Sequence, residues 1–169
     1  NRPINFSVPT GNFGDVYAGY LSKKMGLPID KLIVATNLNN ILHRAITNGR
    51  YEAQTVVQTT SPSMDIQIAS NFERLIHDLN NQDDLETDEI MSDIKKNGKF
   101  IVSKEKLIKI KKDFLSACIK ETEVLRIIKE IHERYKVILD PHTAIGFGAT
   151  NTNDLKGDIV TLATAHPCK

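Results

Sequence analysis

Strand, glycine-broken loop, helix and a second, wholly apolar strand follow one another within the first 36 residues, and this order restricts the chain more than any other feature. Ile4 to Val8 alternates Ile, Phe and Val with small polar residues and stops at Pro9-Thr10-Gly11, the pattern of a short strand and a turn. From Asp15 onward Val16, Tyr17, Gly19, Tyr20 and Leu21 form one helical face, ended by Gly26 and Pro28. Leu32 to Thr36 is then a continuous apolar run, which a strand can carry only where helices cover both of its faces. Such a unit crosses over right-handedly in a parallel sheet. The expected fold class is α/β, a partly parallel sheet with flanking helices.

The rest of the chain extends that frame and interrupts it once. "NNILHRAITNG" predicts a second helix stopped by Gly49, followed by a strand near Thr55 to Gln58 and an irregular loop over Thr59 to Asp65. Ser70 with Glu73 three residues later reads as a capping box, so the next helix is expected to begin at Asn71. Asn80 to Tyr135 changes character. An acidic-to-basic segment closed by Gly98, a lysine-rich segment with Leu107, Ile108 and Ile110, and a stripe of Val124, Ile127, Ile128 and Ile131 predict a mainly helical insertion. Asp140-Pro141 then starts a further helix, because aspartate caps free amides and proline fits the first helical position. "DIVTLATAH" reads as a last strand, and no internal repeat is present. The division expected is 1–79 as an α/β portion with the glycine loop, 80–135 as the helical insertion and 136–169 as the return to the α/β frame. Both ends run directly into strand-like segments, which suggests a piece of a larger protein.

Composition excludes several partner classes. With 22 basic and 21 acidic side chains the net charge is +1, so no overall field selects nucleic acid or an anionic membrane. The lysines of "SKEKLIKIKK" have no interleaved aromatics and read as a solvated face. No run approaches the roughly 18 apolar residues of a membrane span, and no signal-peptide layout is seen, so a cytoplasmic location is expected. Cys118 and Cys168 lack Cys-x-x-Cys spacing, which suits ordinary thiols in a reduced compartment. His43, His77, His132 and His166 form no His-x-x-x-His pair, so no metal site is expected.

The glycine loop is the strongest candidate for a site. In "PTGNFGDV" the amides of Gly11, Asn12, Phe13 and Gly14 can turn inward, at the start of a helix whose free amides and dipole favour an anion. Thr10 can add a hydroxyl donor, and a doubly charged phosphate fits such a cradle. It is not a nucleotide P-loop, since Gly14 is followed by Asp15 rather than lysine, and the Gly-x-Gly-x-x-Gly fingerprint is absent. A plain structural turn remains the alternative.

Five stretches in fixed order, "VPTGNFGDVYAGYLSKKMGLP", "LIVATN", "SPSMDIQIASNFERL", "DPHTAIG" and "LATAHPCK", resemble the threonine synthases, pyridoxal-phosphate enzymes of the tryptophan-synthase-β fold type (fold type II). The resemblance covers most of the chain outside 80–135. It implies the large-domain portion of that fold, with pyridoxal 5'-phosphate as cofactor and Gly11, Asn12, Phe13 and Gly14 around the ester phosphate. Thr164 matches the family's hydroxyl partner of the pyridine nitrogen, an uncharged partner that tunes the ring as an electron sink. Asn37 follows a strand where open α/β sheets place ligands; with Ser61, Ser63 and His142 it either meets substrate or merely supports the fold.

The family converts O-phosphohomoserine and water into threonine and phosphate, as a carbon-oxygen lyase of amino-acid biosynthesis. Its Schiff-base lysine sits upstream of the glycine loop in a phenylalanine-lysine-aspartate context, which this sequence lacks; "KKDF" at 111–114 has the wrong order and place. The resemblance therefore implies a fragment of about a third of a threonine synthase, or somewhat more, with no catalytic residue of its own, inactive unless a separately encoded N-terminal segment supplies the lysine. A noncatalytic phosphate-binding or partner-binding remnant, or a piece of a related dehydratase or racemase, are the alternative readings.

Overall fold

A computed structural model describes residues 2–152 and 155–168; Asn1, Asn153, Asp154 and Lys169, the last residue of the "LATAHPCK" motif, lie outside the described residues. Its centre is a four-stranded sheet of β1 (Ile4–Pro9), β2 (Ile29–Thr36), β5 (Phe114–Cys118) and β6 (Ile159–Thr161), in the order β5-β2-β1-β6 with every pairing parallel. Val8 pairs with Val34, Ala35 with Ala117, and Ser7 with Thr161. A two-stranded antiparallel ribbon of β3 (Arg50–Glu52) and β4 (Lys99–Ile101) lies outside that sheet.

The apolar run of β2 divides between two cores. Leu32 and Val34 pack with Val16 and Tyr17 of α1 (Gly14–Lys24) and with residues of α2 (Ile41–Asn48), α3 (Phe72–Leu79) and α5 (Lys104–Asp113). Ile33 and Ala35 pack on the opposite face with Val124 and Ile127 of α6 (Glu121–Tyr135) and Ala144 and Ile145 of α7 (Pro141–Thr150). Period-two alternation along the strand thus serves both faces, which is why its stretch from Leu32 to Ala35 carries no polar position. The remaining helix, α4 (Asp84–Asn97), has Asp83 as its N-cap, acidic residues in its first turn, lysines in its last and Gly98 in the left-handed conformation after it, as its charge order predicts.

The path around β1 fixes where a ligand can sit. From β1 the chain crosses one face through α1 to reach β2, whereas α7 lies on the other face and leads to β6 on β1's other side. The loops after β1 and β6 therefore leave neighbouring strands at their carboxyl ends, on either side of a switch in strand order, where open α/β sheets open a crevice. Helix α7 approaches closely because it carries glycine: a Cβ on Gly146 would lie 3.0 Å from Pro9 Cγ and from Thr161 Cγ2. Ser7 Oγ donates to the Gly146 carbonyl at 2.5 Å and ties β1 to that helix.

Several local expectations are corrected. Thr55 to Gln58 is not a strand: Val56 and Val57 are exposed, and the Asn39 side chain takes up the peptide groups of Val57, accepting from its N–H at 2.9 Å and donating to its C=O at 2.8 Å. Strand β3 forms earlier, at Arg50–Glu52. Helix α3 begins at Phe72, with Asn71 as its N-cap and no capping side chain. The Ser70–Glu73 box does not form: the helix starts one residue later than that box requires, and the Asn71 amide is held by the Asn12 carbonyl at 3.0 Å. Residues 80–135 are mainly helical but also supply β5, an edge strand of the main sheet. Strand β6 ends at Thr161, ahead of "LATAH".

Candidate functional site

The loop from β1 into α1 is shaped by contacts on three sides. The Thr10 amide continues the strand ladder to the Ala35 carbonyl at 2.8 Å. Gly11 runs against the loop that carries Ser63: a Cβ there would lie 2.9 Å from the Ser63 carbonyl oxygen and 3.4 Å from Met64 Cα, both backbone atoms. Phe13 turns the chain in the left-handed conformation (φ 73°), and its ring is buried edge-on against Phe72 at 5.3 Å and beside Phe114 at 5.7 Å. That backbone costs about 1 to 2 kcal/mol in an ordinary residue; burial of a whole aromatic ring offsets it. The ring anchors the loop while its peptide group stays in the turn.

Two details of the sequence reading change here. The Gly14 amide does not face a ligand, because the Asn12 side-chain oxygen accepts from it at 3.0 Å. The Thr10 hydroxyl donates back to the Val8 carbonyl at 2.5 Å, so it offers lone pairs rather than a proton. In compensation, the amides of Asp15 and Val16 join those of Gly11, Asn12 and Phe13 in donating to no protein group among the described residues. The sequence signal for them lay one residue away: α1 starts at Gly14, so residues 15 and 16 are in its first turn, where amides have no intrahelical partner.

These residues line a cavity of about 390 Å³, together with Pro9, Ser63, Met64, Ile66, His142, Thr164 and Ala165. The size lies within the usual range for small-ligand pockets, roughly 300 to 1,000 Å³. Thr10 to Gly14, Ser63, His142 and Thr164 are thereby brought to one place from four separate parts of the chain. Met64, Ile66 and Ala165 are wall residues that no local pattern marks.

Asn37 and Ser61 are not in that wall. Both are fully buried, and the Asn37 side-chain nitrogen lies 2.9 Å from Ser61 Oγ, 2.9 Å from Thr59 Oγ1 and 2.7 Å from Asp65 Oδ1. Asp65 also accepts from the Thr59 amide and from Asn39. The network fastens the 59–65 loop to the end of β2, and so holds the Ser63 carbonyl against Gly11.

His142 stands at the second position of α7 and is 3% exposed. Asp140, the N-cap, accepts from the amides of His142 and Thr143, from His142 Nδ1 at 2.9 Å and from the Thr143 hydroxyl. Burial pushes this carboxyl up, but the hydrogen bonds from Thr143 and His142 outweigh it and hold Asp140 below the ordinary aspartate range. An ionised Asp140 fixes the proton of the ring on Nδ1. His142 Nε2 is buried without a partner.

His43 is elsewhere, with Nδ1 2.9 Å from Ser116 Oγ; burial lowers its pKa. Among the described residues no group of His, Cys, Asp and Glu could hold a metal ion, and no helix is long and apolar enough to cross a membrane.

No protein-family model matches the chain. Over 171 residues it is 44% identical to the threonine synthase of Pseudomonas aeruginosa, an alignment covering 100% of this chain and 36% of that protein. It is 45% identical over 188 residues to the threonine synthase of Saccharomyces cerevisiae, covering 100% of this chain and 37% of that one. Among solved structures, pyridoxal-phosphate-bound threonine synthase from Brucella melitensis superposes with a TM-score of 0.94 at 45% identity, covering 98% of this chain and 36% of that one. Maize serine racemase, at 12% identity and a TM-score of 0.56 over 95% of this chain, shares the fold alone. The chain spans a little over a third of the length of the relatives it matches. By sequence along its whole length, and by fold, it is homologous to that part of the threonine synthases.

Proposed function

We propose that this chain is the cofactor-holding portion of a threonine synthase, its cavity receiving pyridoxal 5'-phosphate with the ester phosphate against the turn from Gly11 to Val16. One observation carries the reading: five free amides, those of Gly11, Asn12, Phe13, Asp15 and Val16, stand at the start of α1 in a cavity whose wall includes Thr164. Neutral donors at a helix N-terminus suit a doubly charged phosphate without any basic side chain. The likeness to a pyridoxal-phosphate-bound threonine synthase supports the same ligand.

In this reading Gly11 lets the Ser63 loop close over the phosphate, Asn12 stiffens the turn by binding Gly14, and Thr164 meets the ring nitrogen. Being uncharged, Thr164 leaves that nitrogen less firmly protonated than a carboxylate would. When bound, the pyridoxal ring supplies a sink for negative charge developing on the substrate. Residues 1–79 and 136–169 form the cofactor frame, and 80–135 is an insertion that buttresses it. Asn37 and Ser61 act by holding the loop rather than by touching substrate.

The complete enzyme would convert O-phospho-L-homoserine and water to L-threonine and phosphate. The lysine that the family joins to its cofactor has no counterpart among these 169 residues, so the chain alone binds without turnover and needs a lysine-bearing N-terminal segment. Titration with pyridoxal phosphate, followed by absorbance, tests this. Saturable binding that inorganic phosphate competes away is expected, with threonine formed only after the lysine-bearing segment is added. Binding indifferent to phosphate would overturn the site, and turnover by the chain alone would overturn the division of labour.

A further inference from the structure

His142 has no role in the phosphate turn as described, yet the residue lines the same cavity and its Nε2 is buried with no hydrogen-bond partner. A buried polar nitrogen left unmade costs about 1 to 3 kcal/mol, and native structures rarely tolerate one without a reason. The ring is not free to turn for relief. Nδ1 donates to Asp140, which also accepts the two amides and the hydroxyl that start α7, so the imidazole is locked with Nε2 as its unpaired nitrogen.

The geometry points to His142 Nε2 as a side-chain ligand for a phosphoryl oxygen in this cavity, with Asp140 as the positioning residue behind it. This rests on the reading of the cavity as a phosphate-ester site. The wall also holds acceptors, the lone pairs of Thr10 Oγ1 and the carboxylate of Asp15, but the five free amides at the helix start are all donors, and an anion is the species they select. A bare nitrogen lone pair would repel an anionic oxygen. The ring in the complex must therefore carry protons on both nitrogens, with Asp140 balancing the imidazolium and the second proton, where absent, coming from solvent. The phosphoryl group could belong to the cofactor or to a free or substrate phosphate, and the probes below separate these.

Long-range nitrogen–proton NMR of the chain, recorded with inorganic phosphate, pyridoxal phosphate or pyridoxal, reads the state of Nε2 directly. The proposal expects Nε2 to move from a pyridine-like to a pyrrole-like shift with the two phosphate-bearing probes and to stay unmoved with pyridoxal. A response to inorganic phosphate and pyridoxal phosphate alike assigns the shared phosphoryl subsite; a response to inorganic phosphate alone assigns a second subsite beside the cofactor's. In parallel, His142→Phe should weaken binding of the responsive probes by about 10- to 100-fold, the usual effect of one hydrogen bond to a charged group, and leave pyridoxal binding unchanged. If the Gly11 and Phe13 amides respond to a phosphate probe while Nε2 does not, the assignment of His142 fails and the phosphate turn stands. If neither responds, the turn itself is refuted, and this inference with it.

Discussion

Replacing Gly11 by alanine tests the shape of the phosphate turn with one methyl group. Its Cβ would stand 2.9 Å from the Ser63 carbonyl oxygen and 3.4 Å from Met64 Cα. Relief requires one backbone to retreat by about half an ångström. On one side is the strand end whose Thr10 amide is bound to Ala35; on the other is a loop fastened by Asn37, Thr59, Ser61 and Asp65. Neither wall is a flexible side chain. Overpacking of this kind costs roughly 1 to 3 kcal/mol. If the strain is relieved by moving the turn, the phosphate donors go out of register, and at 1.4 kcal/mol per tenfold affinity for pyridoxal phosphate falls by about 5- to 150-fold. Urea denaturation and ligand titration on the same variant separate strain retained in the fold from donors lost to the ligand. An alanine variant with both stability and affinity unchanged would refute the claim that the Ser63 loop closes on the turn.

Other expectations follow from the same contacts. Asn37→Ala should cost about 1 to 3 kcal/mol, because Thr59, Ser61 and Asp65 lose their shared donor, and it should weaken cofactor binding without touching the ligand; faster amide exchange at Thr59 is the diagnostic readout. Gly146→Ala places a methyl 3.0 Å from Pro9 and Thr161 and should lower stability by roughly 1 to 3 kcal/mol in urea denaturation. Asp140 has a folded pKa below the unfolded value of about 3.9. Its contribution is therefore complete above that value and is lost as pH falls through the folded pKa; Asp140→Asn, which keeps a capping oxygen, should flatten that part of the melting-temperature profile, whereas Asp140→Ala should also cost about 0.5 to 2 kcal/mol of helix capping.

How far the chain could be read in advance depended on whether a residue's partner lay nearby in sequence. The β1-α1-β2 unit was open to reading because Pro9, Gly11, Gly26 and Pro28 punctuate it and because Leu32 to Ala35 must bury both faces. Asp140-Pro141 gave the start of α7 for the same local reason. Strand β5 was hidden: Phe114 to Cys118 continues directly from a lysine-rich helix, and its neighbour β2 lies about 80 residues earlier. Ser70 reads locally as a cap, but the helix begins after Asn71, whose amide is bound by the distant Asn12 carbonyl. At the site, the glycine pattern marked the turn, but the diversion of Gly14 to Asn12 and of the Thr10 hydroxyl to Val8 depends on side-chain rotamers that no motif encodes. For Asn37 and Ser61 the sequence left contact with substrate and support of the fold open; both are fully buried, bonded to each other and absent from the cavity wall.

The central claim is that main-chain donors between β1 and α1 hold the ester phosphate of pyridoxal phosphate. A crystal structure of the chain grown with that cofactor measures it directly. The account predicts phosphate oxygens within about 2.7 to 3.2 Å of the amide nitrogens of Gly11, Asn12, Phe13, Asp15 and Val16, with the ring directed toward Thr164. A cofactor bound with its phosphate on surface lysines, or seated in the cavity with these five amides unengaged, would contradict it.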